Sequence, residues 1–120
     1  MITDPFMAEK MKRALKIANN VYTLDDIMDH IKSGKMQGHV EGSTWAITQV
    51  HEFPRKKAVD ILYVVGSLES SLKLENKIEH WARELGADLL TATGRSGWWD
   101  FRTLGWKRNG VVYAKELKNG

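Results

Sequence analysis

The stretch Val65-Gly66-Ser67-Leu68-Glu69-Ser70-Ser71 is the part of this chain most open to a chemical reading. An apolar run, Ile61-Leu62-Tyr63-Val64-Val65, leads into it, and a helical pattern follows. A glycine turn that opens a helix aims free backbone N–H groups and the positive end of the helix dipole at one point. Such a point can hold an anion. Ser67 and Ser70 are cap residues by type, and no serine here sits in the Gly-x-Ser-x-Gly elbow of a nucleophile. A second segment, Gly94-Arg95-Ser96-Gly97, sets an arginine between glycines. It reads as a turn that needs positive φ, or as a turn that also offers Arg95 to an anion. His30, His39, His51 and His80 share no ligand spacing, and the chain has no cysteine. No metal site is expected.

The elements that must position these residues follow from periodicity. Asp4 and Pro5 suit the start of a helix over residues 5–18, with Met7, Met11, Ala14, Leu15 and Ala18 on one face. Thr23 and Asp26 form a capping-box pattern for a second helix, which carries Leu24, Ile27, Met28 and Ile31 and stops at Gly34. Strands are predicted over 35–41 and 44–53, joined by the tight turn Gly42-Ser43 and therefore antiparallel. A hairpin at 54–57 leads to a third strand over 58–65, apolar on both faces and so central. A long helix carries Leu74, Ile78, Trp81, Ala82 and Leu85 and ends at Gly86. A fourth strand over 88–93 returns parallel to the third by a right-handed crossover. A short helix over 98–104 and a last antiparallel strand over 111–117 complete the expectation.

The chain has 120 residues, 42% apolar and 28% charged, with a net charge of +3. That fits one globular domain over residues 1–120. No apolar run approaches the ~20 residues of a membrane span, and the first residues lack the apolar centre of a signal peptide. A cytoplasmic setting is expected. The basic residues are spread out, so a solvated surface is the expectation and nucleic-acid binding is not. Of five tryptophans, Trp81, Trp98, Trp99 and Trp106 fall in the last third. They read as core and rim packing, or as an exposed cluster for a protein partner or base stacking.

The order helix, helix, three antiparallel strands, helix, parallel strand, short helix, strand resembles the GNAT family of N-acetyltransferases without its usual first strand. The stretch Asp100-Phe101-Arg102-Thr103-Leu104-Gly105-Trp106 is similar to the family's closing pattern Phe-Tyr-x-x-Leu-Gly-Phe. Small GNAT-like proteins of tailed bacteriophages are closer still. Tyr22-Thr23-Leu24-Asp25-Asp26-Ile27, Gly34-Lys35-Met36-Gln37 and Gly94-Arg95-Ser96-Gly97-Trp98 resemble motifs of that group.

The resemblance implies an α+β fold, with a mixed sheet, one parallel β-α-β crossover and flanking helices. It implies acetyl-CoA at the loop of Val65, Gly66, Ser67, Leu68, Ser70 and Ser71; Arg95, read from its turn as an anion contact, would be a further one. It implies a proton acceptor among Asp60, His51 and Glu52, because an ammonium must lose a proton before it attacks a thioester. The family's loop pattern Arg/Gln-x-x-Gly-x-Gly/Ala keeps one glycine here, Glu69 stands inside it, and Phe101 stands where many members carry a tyrosine. The expected function is therefore a phage-encoded GNAT-like protein with a degenerate acyl-CoA site. It would act without catalysis in the virion or on a host protein, in the host cytoplasm or the particle. The alternative is an acyl-CoA-dependent N-acetyltransferase acting on a protein or small-molecule amine.

Overall fold

The structure, a computed structural model, describes residues 4–93 and 105–118. The elements run α1 (Pro5–Ile17), α2 (Leu24–Ser33), β1 (Gln37–Glu41), β2 (Thr44–Glu52), β3 (Lys57–Val65), α3 (Leu68–Glu84) and β4 (Leu89–Ala92). Local chemistry sets their ends. The Asp4 carboxylate accepts from the Phe6 N–H at 2.9 Å ahead of α1. Asn19 and Asn20, at φ 67 and 50, turn the chain out of it. The capping box of α2 is complete, with the Thr23 hydroxyl accepting from the Asp26 N–H at 3.1 Å and the Asp26 carboxylate accepting from the Thr23 N–H at 2.9 Å. The Met36 N–H reaches back to the His30 carbonyl at 3.1 Å. That bond belongs to the helix exit, so β1 starts at Gln37 rather than at residue 35.

The sheet order is β1-β2-β3-β4. The first two pairs are antiparallel, and β3 pairs with β4 in parallel after the α3 crossover. The fold is α+β, a mixed sheet between two helical layers. β3 is interior, as a strand apolar on both faces must be. On one face Met7, Met11, Leu15 and Ile27 pack on Met36, Trp45, Ile47, Tyr63 and Val65. On the other, Leu74, Ile78 and Ala82 of α3 pack on Ala46, Val59 and Ile61. Each such large side chain withdrawn from water contributes about 1.5–3 kcal/mol.

A register change in the middle of β3 decides what the site looks like. Ile47 pairs with Tyr63 but Thr48 pairs with Ile61, so Leu62 is an extra residue, a β-bulge. Val59 and Ile61 face α3 before the bulge, whereas Tyr63 and Val65 face α1 after it. Strict alternation would have put all four on one face. Ala58 and Asp60 consequently look toward the α1 side, on the half of the sheet that α1 and α2 leave uncovered.

One expectation is corrected. Residues 111–117 form no strand, and Val112, Tyr113 and Leu117 are 76%, 88% and 89% exposed. Alternating apolar residues favour an extended backbone but do not supply a ladder, and no described strand of the same chain takes this one. The Gly94-Arg95-Ser96-Gly97 turn, the helix over 98–104, Arg95 and Phe101 lie outside the described residues.

Candidate active site

Two places along β3 hold the residues singled out from the sequence. The first is an open cleft of about 320 Å³. His51 and Phe53 come to it from the end of β2, Ala58 and Asp60 from β3, and Leu89, Thr91 and Ala92 from β4, with Thr93 after it. Parallel register sets Asp60 directly beside Thr91. The Thr91 hydroxyl donates to Asp60 Oδ1 at 2.9 Å, which fixes the carboxylate and leaves its second oxygen unclaimed by that bond. The rings of His51 and Phe53 stack at 5.9 Å between centroids and 27° between planes, forming an aromatic wall. No lysine or arginine stands among the described lining residues. An acceptor-only carboxylate, an imidazole and a hydroxyl can receive an amine and take up its proton.

Asp60 and His51 are thus brought together. Glu52 is not, because it is the neighbour of His51 on a strand and points to the opposite face. It is exposed and lies 3.8 Å from the Lys57 ammonium. Thr91 and Phe53 were not anticipated. Only the β3–β4 register and the end of the β2 hairpin put them here, and neither is written in local sequence.

The second place is the start of α3. Ser67 caps the helix, its hydroxyl accepting from the Ser70 N–H at 3.3 Å. The Ser67 carbonyl accepts from the Thr44 hydroxyl at 3.2 Å and the Ser71 hydroxyl at 2.7 Å. Val65 is core, and Leu68 is exposed. Gly66 has φ 136, and a Cβ there would strike Thr44 and the Ser43 carbonyl. The glycine is thus accounted for by close packing against the β1–β2 hairpin. The cap uses the amide of Ser70, while those of Leu68 and Glu69 have no acceptor within the helix, as in any first turn. They and the dipole leave a modest anion site at the head of α3.

A path joins the two places. β4 pairs only with Ala58 to Ile61, and its ladder stops at Ala92. Beyond the bulge, the edge of β3 from Leu62 to Val65 has no ladder partner from β4. Six residues separate Asp60 from Gly66, about 20 Å at the rise of a strand. A long arm carrying a diphosphate at one end and a thioester at the other suits that separation. Coenzyme A has that form; the first-turn amides of Leu68 and Glu69 are the groups that could hold its diphosphate, and the Glu69 carboxylate is an opposing charge at that end.

No protein-family profile and no curated protein sequence matches the chain. Solved structures do match its backbone. A Trypanosoma brucei acetyltransferase superposes with a TM-score of 0.69 at 12% identity, covering 98% of this chain and 97% of that one. A probable acetyltransferase gives 0.67 at 8% identity, covering 96% and 92%. The ribosomal-protein-alanine N-acetyltransferase of Brucella melitensis biovar Abortus 2308 gives 0.59 at 12% identity, covering 92% and 93%. With the strand order and the parallel crossover, these matches show that the chain has a GNAT-like α+β fold.

Proposed function

We propose that this protein is an acyl-CoA-dependent N-acyltransferase whose acceptor amine enters the cleft at Asp60. The observation that carries the reading is the end of the β3–β4 ladder at Ile61 and Ala92. It leaves the edge of β3 beyond Ile61 without a described ladder partner, on the strand that runs from the Asp60–Thr91 pair to the first turn of α3. Acyl-CoA as substrate would supply the activated thioester. The amides of Leu68 and Glu69 would hold its diphosphate, and Asp60 would orient the acceptor ammonium and accept its proton. His51 stands on the same cleft as a second proton acceptor. Its stack with Phe53 keeps the ring at the wall.

Calorimetry with acetyl-CoA, followed by a transfer assay over a panel of amines, tests this. Binding is expected in the micromolar range, with transfer to at least one primary amine. Absence of binding at millimolar acetyl-CoA sinks the proposal. Gly66 is the wrong residue to widen as a control, since any side chain there strikes the β1–β2 hairpin whether or not coenzyme A binds.

A second reading has its own observation. The loop is closed by its own bonds, with Ser67 engaged by Thr44, Ser70 and Ser71, and Glu69 placed in the first turn. That favours a phage-encoded protein whose acyl-CoA site has lapsed and which acts by contact in the virion or on a host protein. Mass spectrometry of purified particles and pull-down from infected cells would find it there. Acetyl-CoA binding with turnover would remove this reading.

A further inference from the structure

The segment over residues 111–117 and the outer edge of β4 are two halves of a ladder that the described residues of one copy leave open. The segment reads Val-Val-Tyr-Ala-Lys-Glu-Leu, rich in residues that favour strands. Among the described residues, 107–118 form no ladder and no backbone–backbone hydrogen bond. Val112, Tyr113 and Leu117 stand almost fully in water. Exposing three such side chains along a backbone with no described ladder partner is the pattern of a strand that lacks a sheet. β4 ends the sheet order, and among the described residues nothing pairs with its outer edge. Leu89 of that strand is also exposed.

The segment is rooted near that edge. Trp106 packs on the α3-side cluster that also holds Leu90 of β4, and its side chain hydrogen-bonds Glu75. Gly110, at φ 153, breaks the backbone between this root and the apolar residues. A root beside the acceptor edge is the geometry in which two copies can each give a strand and receive one. The exchange then closes as a two-fold pair, with both edges used and none left to propagate.

We propose that the partner of this surface is a second copy of the same chain. Residues 111–117 of each copy add as a strand to β4 of the other. The interface then lies beside Leu89 and Thr91, and the exchanged strand flanks the open side of the cleft. The proposal does not depend on the chemistry proposed for that cleft.

Light scattering of the full chain over a concentration series, with Val112→Pro and Tyr113→Pro variants, tests it. Successive residues point their N–H groups to opposite sides, so one of the two prolines removes a ladder donor in either register. Both positions are exposed within one copy, so the monomer's thermal unfolding should be unchanged by either. The expected result is a dimer whose dissociation constant rises at least tenfold in one proline variant. Isotope-filtered contacts between Tyr113 of one copy and Leu89 of the other should appear in the mixed labelled sample. A monomer at every concentration overturns the proposal. So does a dimer indifferent to both prolines, or contacts from Tyr113 to Leu89 of its own copy.

Discussion

Asp60 draws its interest from its neighbours. Thr91 holds one carboxylate oxygen at 2.9 Å, and the carboxylate faces a cleft with no described lysine or arginine on its wall. Replacing Asp60 with Asn keeps the volume and a partner for Thr91 but removes the charge that would hold an ammonium and the base that would take its proton. We expect D60N to lower turnover about a hundredfold or more, the usual scale for a lost general base. Acetyl-CoA binding by calorimetry should be unchanged, because the helix head lies about 20 Å away along the strand. A D60N protein with full turnover would remove Asp60 from the chemistry. Glu75 offers a test of stability at the same scale. One of its carboxylate oxygens is buried without a hydrogen-bond partner among the described residues, while Trp106 donates to the side chain. Burial and nearby Glu79 push its carboxyl above the usual range. A group raised in this way favours folding below its unfolded pKa and costs stability as pH rises through the folded value. Glu75→Gln removes the charge that burial penalises and should therefore stabilise the protein at neutral pH, by less than about 1 kcal/mol because the group is partly exposed and screened. The change should be smaller below pH ~4, and thermal melts at the two pH values would measure it.

At the scale of elements, the sequence is legible wherever local chemistry decides. Asp4 with Pro5, Thr23 with Asp26, Gly34 and Gly42 each mark a boundary by a bond or a dihedral that the residue type alone can supply. The apolar stripes bury Met7, Met11 and Leu15 of α1, Ile27 of α2, and Leu74, Ile78 and Ala82 of α3, while Leu85 at the end of the α3 stripe stays exposed. Thr23→Ala would remove one half of the capping box and free the N–H of Asp26. Circular dichroism melts should show a loss of about 1 kcal/mol, and no loss would mean that tertiary packing alone sets the start of α2. What could not be read is what depends on partners distant in sequence. Leu62 looks like any other member of an apolar run, yet its bulge turns Asp60 toward the cleft and Tyr63 toward α1. Gly66 looked like a place for a ligand because the sequence cannot show that Thr44 and Ser43 press against it. The segment over 111–117 has the pattern of a strand without a ladder in its own copy, and no alternation of side chains reports where an edge will be found.

The whole molecule should answer to pH in two separate windows, because the titrating groups sit in two kinds of place. His39 lies between β1 and α3, its Nε2 2.8 Å from the Thr48 hydroxyl and its ring edge-on to Trp81 at 4.8 Å. Thr48 in turn donates to Gln37 at 3.1 Å, so its oxygen receives the histidine N–H and the neutral ring is satisfied. Burial penalises the imidazolium and pulls the His39 pKa below its ordinary 6.5. The unfolded chain then binds this proton more readily than the folded one. Stability from this group is complete above the unfolded value and falls as pH drops from about 6.5 toward the lower folded value. Asp26 and Glu41 act later. The Thr23 backbone and hydroxyl bonds hold the Asp26 carboxyl below its ordinary value, and the Lys77 ammonium does the same for Glu41. Their stability is present above about pH 4 and lost as pH falls through their folded values. Both carboxylates sit at the surface, where screening keeps such contributions small, so the earlier fall should be the steeper one. Denaturant melts of the E75Q protein, which lacks the opposing gain of a raised carboxyl on acidification, should therefore show from pH 7.5 down to 3 a first decline beginning near 6.5 and a weaker one below 4. His39→Gln keeps a donor for Thr48 and removes the titrating ring. It should flatten the first decline and leave the second in place. A first decline that survives H39Q would assign it to another group and leave His39 a packed ring with no part in acid sensitivity.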